Sequence, residues 1–298
     1  MTQTDLLIFV ASWEERCALG LMDDLRTYVP KHVELYYIDS YSDRTGPTRE
    51  QAERLCKEHG ATISSHELPS DSPAGCWTIL SDILSEFSGQ NISVVVDLTT
   101  MPRDIIWMLL WFLEDLNAQI SYVYHRPANY SKEWLTRDPR KPRLVYKLSG
   151  LAQLGARTAL LVLAGYDVER TAHLMRHFEP SITLLGLQVL GDDADNDCRM
   201  REHRERFESD DAVRIFELDA YSADHGESVL QSQLGNLPES HNVIMSSLGP
   251  KPTAISLYRI QRIDPRIALA YAPSREFNIE YSSGIGDAIR GTVENASG

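Results

Sequence analysis

The sequence predicts an α/β protein of two similar units, each a mainly parallel sheet with helices on both faces. Three observations carry this. Continuous apolar runs of strand length alternate with helix-length amphipathic segments. Such strands are buried on both faces, as in parallel sheets. The order of segments in the first half then returns in the second.

In the first half, residues 6–11 form an apolar strand, and 17–28 carry apolar residues at helical spacing. Residues 33–38 read as a second strand. A charged amphipathic helix over 48–59 follows, stopped by Gly60. A weaker strand at 61–68 precedes a helix over 76–87. Then come a strand at 92–96, a helix from about Arg103 to Leu116, and a strand at 119–124. Trp107 and Trp111 are four apart on that apolar helix and read as core.

Three blocks recur at an offset of about 150 residues. "LLIFVASWEERCALGLMDDL" (6–25) aligns with "LLVLAGYDVERTAHLMRHF" (160–178), with Glu15-Arg16 facing Glu169-Arg170. "VVVDLTTMPRDIIWMLLWFL" (94–113) aligns with "NVIMSSLGPKPTAISLYRI" (242–260), where Asp97 meets a serine. "ISYVYHRPANYS" (120–131) aligns with "IALAYAPSREFNIEYSSG" (267–284). We therefore expect two Rossmann-like units, 1–150 and 151–298, joined near "KLSGLAQLGARTAL". Segments near 143–147 and at "FNIEY" are expected as antiparallel edge strands of their own halves. The acidic stretch 191–211 is read as a solvated excursion lacking the spacing of a calcium loop, and the tail after Gly284 as partly mobile.

Composition narrows the function. With 43% hydrophobic and 24% charged residues, the chain reads as globular. No segment has the roughly 18 uncharged apolar residues of a membrane helix. The N-terminus lacks a signal-peptide layout, so a cytoplasmic protein is expected. A net charge of −14 disfavours long nucleic acid but not a small anion held by local arginines. Four scattered cysteines argue against a zinc site or a disulfide framework, and nine histidines form no HxH or HExxH pattern, so no metal is expected. Neither a Walker A loop nor GxGxxG is present.

In open α/β sheets, ligands bind beyond the carboxyl ends of the strands, where helix N-termini also favour anions. Ser12, Trp13, Glu15 and Arg16 fall there in the first half, with Asp97, Thr99, Thr100 and Arg103. Tyr166, Asp167, Glu169 and Arg170, then Ser246, Ser247, Gly249, Lys251 and Thr253, fall there in the second. Hydroxyls and a cation beside a helix start suit phosphate oxygens. Each has a plainer reading. Thr99 or Thr100 can simply cap the helix, Glu15-Arg16 can be a surface ion pair, Asp97 can bond turn amides, and Cys17 can be a small core hydrophobe.

"SSLGPKPTAISLY" and, more loosely, "DLTTMPRDIIWML" resemble the strand-to-helix turn of the CRISPR-associated Rossmann fold (CARF) and the related SAVED sensor domains. The turn's usual double glycine is missing in both halves. The resemblance implies a non-catalytic sensor or adaptor that binds a nucleotide second messenger, or another phosphorylated nucleotide, in a cleft between two units. Ser246, Ser247, Lys251 and Thr253 would grip phosphate in one half, and Thr99, Thr100 and Arg103 in the other. Arg16 and Arg170 would flank the cleft, with Trp13 or Tyr166 stacking on a base. It further implies a separate effector protein, an antiviral setting, and no cofactor beyond the nucleotide; a homo-oligomer stays open. The alternatives are a nucleotide-acting enzyme, a ring nuclease or N-glycosidase using Asp97 or Glu15 as acid/base, and an interaction subunit with a vestigial cleft.

Overall fold

The computed structural model describes residues 1–189, 194–238 and 240–293. In chain order come β1 (Thr2–Val10), α1 (Glu15–Thr27), β2 (Tyr28–Ile38), α2 (Ser42–Glu58), β3 (Thr62–Leu68), α3 (Pro73–Ser85), β4 (Ser93–Asp97), α4 (Arg103–Asp115), β5 (Gln119–His125) and β6 (Asn129–Tyr130). Next are β7 (Thr136–Pro139), β8 (Arg143–Leu144), β9 (Arg157–Leu163), α5 (Val168–Phe178), β10 (Ile182–Gln188), α6 (Ala194–Phe207), β11 (Val213–Leu218) and α7 (Glu227–Gly235). The chain closes with β12 (His241–Ser247), α8 (Thr253–Ile263), β13 (Ala268–Tyr271), β14 (Ser274–Phe277), β15 (Ser282–Ser283) and β16 (Ala288–Val293). Among the described residues, no helix is long and apolar enough to cross a membrane.

Two compact units emerge: Met1–Ser131 with Ile279–Gly298, and Lys132–Asn278. Residues 132–150 thus group with the second unit and the chain end with the first, whereas the sequence alone suggested a single break at 150. The first sheet runs β16-β5-β4-β1-β2-β3, the second β11-β10-β9-β12-β13-β8. Both have the same plan: third, second, first, fourth and fifth strand in parallel, then one antiparallel edge.

The edge strands correct two expectations. Arg143–Leu144 pairs with β13, so it closes the second sheet rather than the first. "FNIEY" is not an edge of either six-stranded sheet; Phe277 lies in β14, which forms a two-stranded ribbon with β7. The first sheet's edge is β16, inside the tail read as partly mobile. Another correction concerns 191–211. Residues 190–193 lie outside the described part, but α6 follows, burying Met200, His203 and Phe207 on one side.

Alternation along the strands explains why both faces need cover. In the first unit Leu7, Phe9, Val33 and Leu35 pack with Cys17, Leu21, Ala52 and Cys56 of α1 and α2. On α4, residues 104–110 are all buried, as expected of a helix that is apolar all round. Trp107 is fully buried, and Trp111 stacks near Trp77 with ring centroids 4.9 Å apart. Ser72 caps α3 by accepting the Gly75 N–H at 3.0 Å, with Pro73 at the first helical position.

Candidate functional site

In each sheet the first and fourth strands are neighbours whose onward connections diverge, the switch point at whose carboxyl ends open α/β sheets bind ligands. In the first unit the turns after β1 and β4 meet there. Thr100 Oγ1 donates to Val10 O at 2.5 Å and lies 3.6 Å from Cys17 Sγ, tying the two turns together. Asp97, 2% exposed, accepts the Thr99 N–H at 2.7 Å, and Thr99 Oγ1 accepts the His125 N–H at 2.9 Å. Ser12 Oγ accepts the Glu14 N–H at 3.3 Å. Burial pushes the Cys17 thiol up to about 12, which leaves it un-ionised at neutral pH.

Glu15 and Arg16 point opposite ways. Glu15 is exposed and accepts the Gly284 N–H at 2.9 Å. Arg16 is buried and bonds Glu14, not Glu15, through Nε at 2.9 Å; its Nη1 has no hydrogen-bond partner among the described residues. Burial works against the Arg16 charge, but Glu14 and the phenols of Tyr124 and Tyr130 outweigh it and hold the group firmly protonated. Glu14 also accepts from Ser282 Oγ, so β15 lies across the start of α1. Trp13 packs at a tilt against Tyr41 with centroids 5.1 Å apart, and the Arg44 guanidinium sits 5.8 Å over its ring. Arg103 is the half-buried first residue of α4.

The second unit repeats the plan with different chemistry. Ser247 Oγ lies 2.7 Å from Thr253 Oγ1, which donates to Pro250 O, also at 2.7 Å. Ser246 is fully buried, and its hydroxyl has no partner among the described residues. Asp167 caps α5 by accepting the Glu169 and Arg170 N–H groups, and accepts Thr136 Oγ1 of β7 at 3.1 Å. Arg170 is buried and donates through Nη2 to Ala272 O, while its Nε has no partner among the described residues. Glu169 is exposed near Arg176 and Arg206 at 3.8 and 3.5 Å. Tyr166 and Lys251 are half-buried at the two turns, whose backbones touch at Gly165 and Gly249.

The structure therefore gathers the expected residues at one strand end in each unit, yet not as equals. An offset of 150 sets Val94 with Ile244, Asp97 with Ser247 and Pro102 with Pro252, by the pairing of β4 and β12 with β1 and β9. Arg103 then stands opposite Thr253, and Lys251 opposite Met101. The two cations differ in place. Thr99, Ser246, Ser247 and Thr253 are wholly buried, whereas Trp13, Thr100, Arg103, Tyr166 and Lys251 are partly open.

One feature had no sequence signal. His125, at the end of β5, is fully buried beside fully buried Asp24 of α1, with Nε2 to Oδ1 at 2.9 Å. Burial pushes the Asp24 carboxyl up to about 7 against the His125 hydrogen bond. At His125, burial opposes the charge, but the Asp24 bond and the Asp97 charge prevail and raise its pKa. The partners are 101 positions apart, with no local pattern to join them.

Neither a family model nor a curated protein matches the sequence. Among solved structures, a type III CRISPR defence DNA nuclease activated by cyclic oligoadenylate is similar at TM-score 0.52 and 12% identity. The match covers 86% of this chain and 63% of that one. What is shared is the fold. Can2 from Sulfobacillus thermosulfidooxidans, in complex with cyclic tetra-adenylate, matches 40% of this chain and 31% of its own at TM-score 0.31 and 14% identity. The cytoplasmic domain of a prokaryotic cation chloride cotransporter matches 93% of this chain and 98% of its own at TM-score 0.32 and 14% identity. These two superpose too loosely to carry an argument. This chain spans less than two thirds of the length of Can2 and of the nuclease.

Proposed function

We propose that this protein is a CARF-like sensor that binds a phosphorylated nucleotide, of the cyclic oligoadenylate class, at its strand ends. It would pass the signal to a separate effector in prokaryotic antiviral defence. The observation that carries this is the repeated arrangement at the strand ends. Both sheets bring a helix N-terminus, a buried arginine (Arg16, Arg170) and a partly open cation (Arg103, Lys251) to the end of the same strand pair. Positive helix ends and cations are what phosphate groups seek. Trp13 and Tyr41, with Arg44 over both rings, add an aromatic surface on which a base could stack. The fold shared with the cyclic oligoadenylate-activated nuclease supports the ligand class.

A binding role also fits the carboxylates better than catalysis does. Asp97 is buried and engaged by the Thr99 N–H, and Glu15 is engaged by the Gly284 N–H. Among the described residues, neither carboxylate hydrogen-bonds a second carboxylate or a histidine.

Calorimetric titration with cyclic oligoadenylates of different ring size, and linear oligoadenylate as control, tests the reading. We expect saturable binding of one cyclic species. The double variant Arg103→Ala/Lys251→Ala should weaken it at least about a hundredfold, since each charge-assisted contact contributes roughly 1.5–3 kcal/mol. Its melting temperature should stay close to that of the wild type. Affinity unchanged in the double variant overturns the residue assignment; binding of no cyclic species overturns the sensor reading.

A further inference from the structure

Beside the strand-end turn of the first unit, a buried polar cluster joins α1 to β5. A Cβ on Gly20 would stand 2.9 Å from His125 Cδ2, so the glycine is what lets the imidazole lie against the helix. The Thr99 hydroxyl fixes the backbone of His125, and Asp24 Oδ1 lies 2.9 Å from Nε2. On the other side of the ring, Nδ1 is 3.9 Å from Asp23 Oδ2. Two atoms here are buried without a hydrogen-bond partner among the described residues: Asp24 Oδ2 and His125 Nδ1. Orphaned buried polar atoms are costly, and they point to a missing occupant. One donor atom from each of Asp23, Asp24 and His125 lies within 4.8 Å of the others.

Charge points the same way. Asp97, also buried, adds its negative field to Asp24 and His125, while the positive group of the opposite strand is Arg290, 2.5 Å from Asp23 Oδ2. Three carboxylates thus face one guanidinium and an imidazole. We propose that Asp23, Asp24 and His125 bind a divalent first-row metal ion such as Zn²⁺ or Mn²⁺. An imidazole nitrogen with two carboxylate oxygens suits these ions, whereas Ca²⁺ and Mg²⁺ prefer all-oxygen sets. Bonds of about 2.0–2.2 Å draw such ligands closer than 4.8 Å. Asp23 can make that adjustment, because its side chain is 42% exposed, and the same exposure gives the ion a way in. This inference is independent of the nucleotide reading.

Another histidine–carboxylate group serves as control. His32 and His66 both place Nε2 on Glu34, at 2.9 and 2.7 Å, across β2 and β3. The test is titration of the full-length chain with Co²⁺ by absorption spectroscopy and with Zn²⁺ by calorimetry. One equivalent should bind, and His66→Gln should leave that binding unchanged. Asp23→Asn, which spares the buried pair, should weaken it roughly tenfold or more. Arg290→Gln should tighten it, because a competing cation is removed. Wild-type binding no tighter than that of Asp23→Asn, or binding abolished by His66→Gln, overturns the site. Should Asp23→Asn fail to fold, the Arg290→Gln comparison decides alone, and unchanged or weaker binding there overturns it.

Discussion

At Gly165 the chain has no room for a methyl group. A Cβ there would lie 2.1 Å from Leu248 O, a backbone atom of the neighbouring turn, and one at Gly249 would lie 2.8 Å from Ala164 O. The turns after β9 and β12 cross backbone on backbone. Gly165→Ala must therefore separate them, and should cost roughly 2–4 kcal/mol. Gly235, the last residue of α7 with nothing within 4 Å of an added Cβ, gives the contrast: Gly235→Ala should gain roughly 0.5–1 kcal/mol. Thermal melts of both variants check the opposite signs. Gly165 and Gly249 are legible as residues, but their necessity is not, since each is imposed by a turn more than 80 positions away. The Glu-Arg pairs teach the same lesson. Their recurrence at 15–16 and 169–170 was visible, but a surface ion pair was the natural plain reading. Only the packing shows each glutamate outside and each arginine buried against other partners.

Among elements, β1, β2 and β4 are clamped by Asp5. It accepts Lys31 Nζ from β2 at 2.6 Å, and both the N–H and the hydroxyl of Ser93 on β4, at 2.8 and 2.9 Å. Lys31 and Ser93 together hold the Asp5 carboxyl down at about 2, against a small opposing effect of burial. The folded pKa lies below the unfolded value, so this contribution is present above about pH 4 and is lost as pH falls towards 2. Denaturation midpoints measured from pH 6 to pH 2 should fall, and Asp5→Asn should flatten that part of the curve. Because Lys31 is largely exposed, salt should weaken the effect. An identical acid slope in wild type and variant would count against the clamp. Central strands such as β1 and β9 were legible because burial on both faces demands an unbroken apolar run. The edge β16 was not, for a strand reading AIRGTV has no such demand, while β8, expected as an antiparallel edge near 143–147, joined the other sheet. Helix α6 was missed for a related reason. Among its described residues the buried face is Met200, His203 and Phe207, and the charged remainder hides the helical period.

For the molecule as a whole, the shared strand order was legible from three aligned blocks, but the ownership of the edges was not. Each sheet takes its antiparallel sixth strand from the segment that follows the other sheet's fifth strand: β16 comes after β13, and β8 after β5. Sequence similarity reports the five parallel strands and is silent on where a short connecting segment will pair. The consequence is an asymmetry between fragments. Residues 132–278 are continuous and hold all six strands of their sheet, so they should unfold cooperatively as an isolated fragment. A fragment cut at 151 lacks β7 and β8, exposing the β13 edge, and should melt lower or aggregate. Residues 1–131 alone leave the β5 edge unpaired, and adding a peptide of residues 279–298 should raise their melting temperature. Circular dichroism melts of the three fragments decide it. If 151–278 proves as stable as 132–278, the edge strand does not belong to that unit's folding, and a break at 150 describes the chain better than the compact units do.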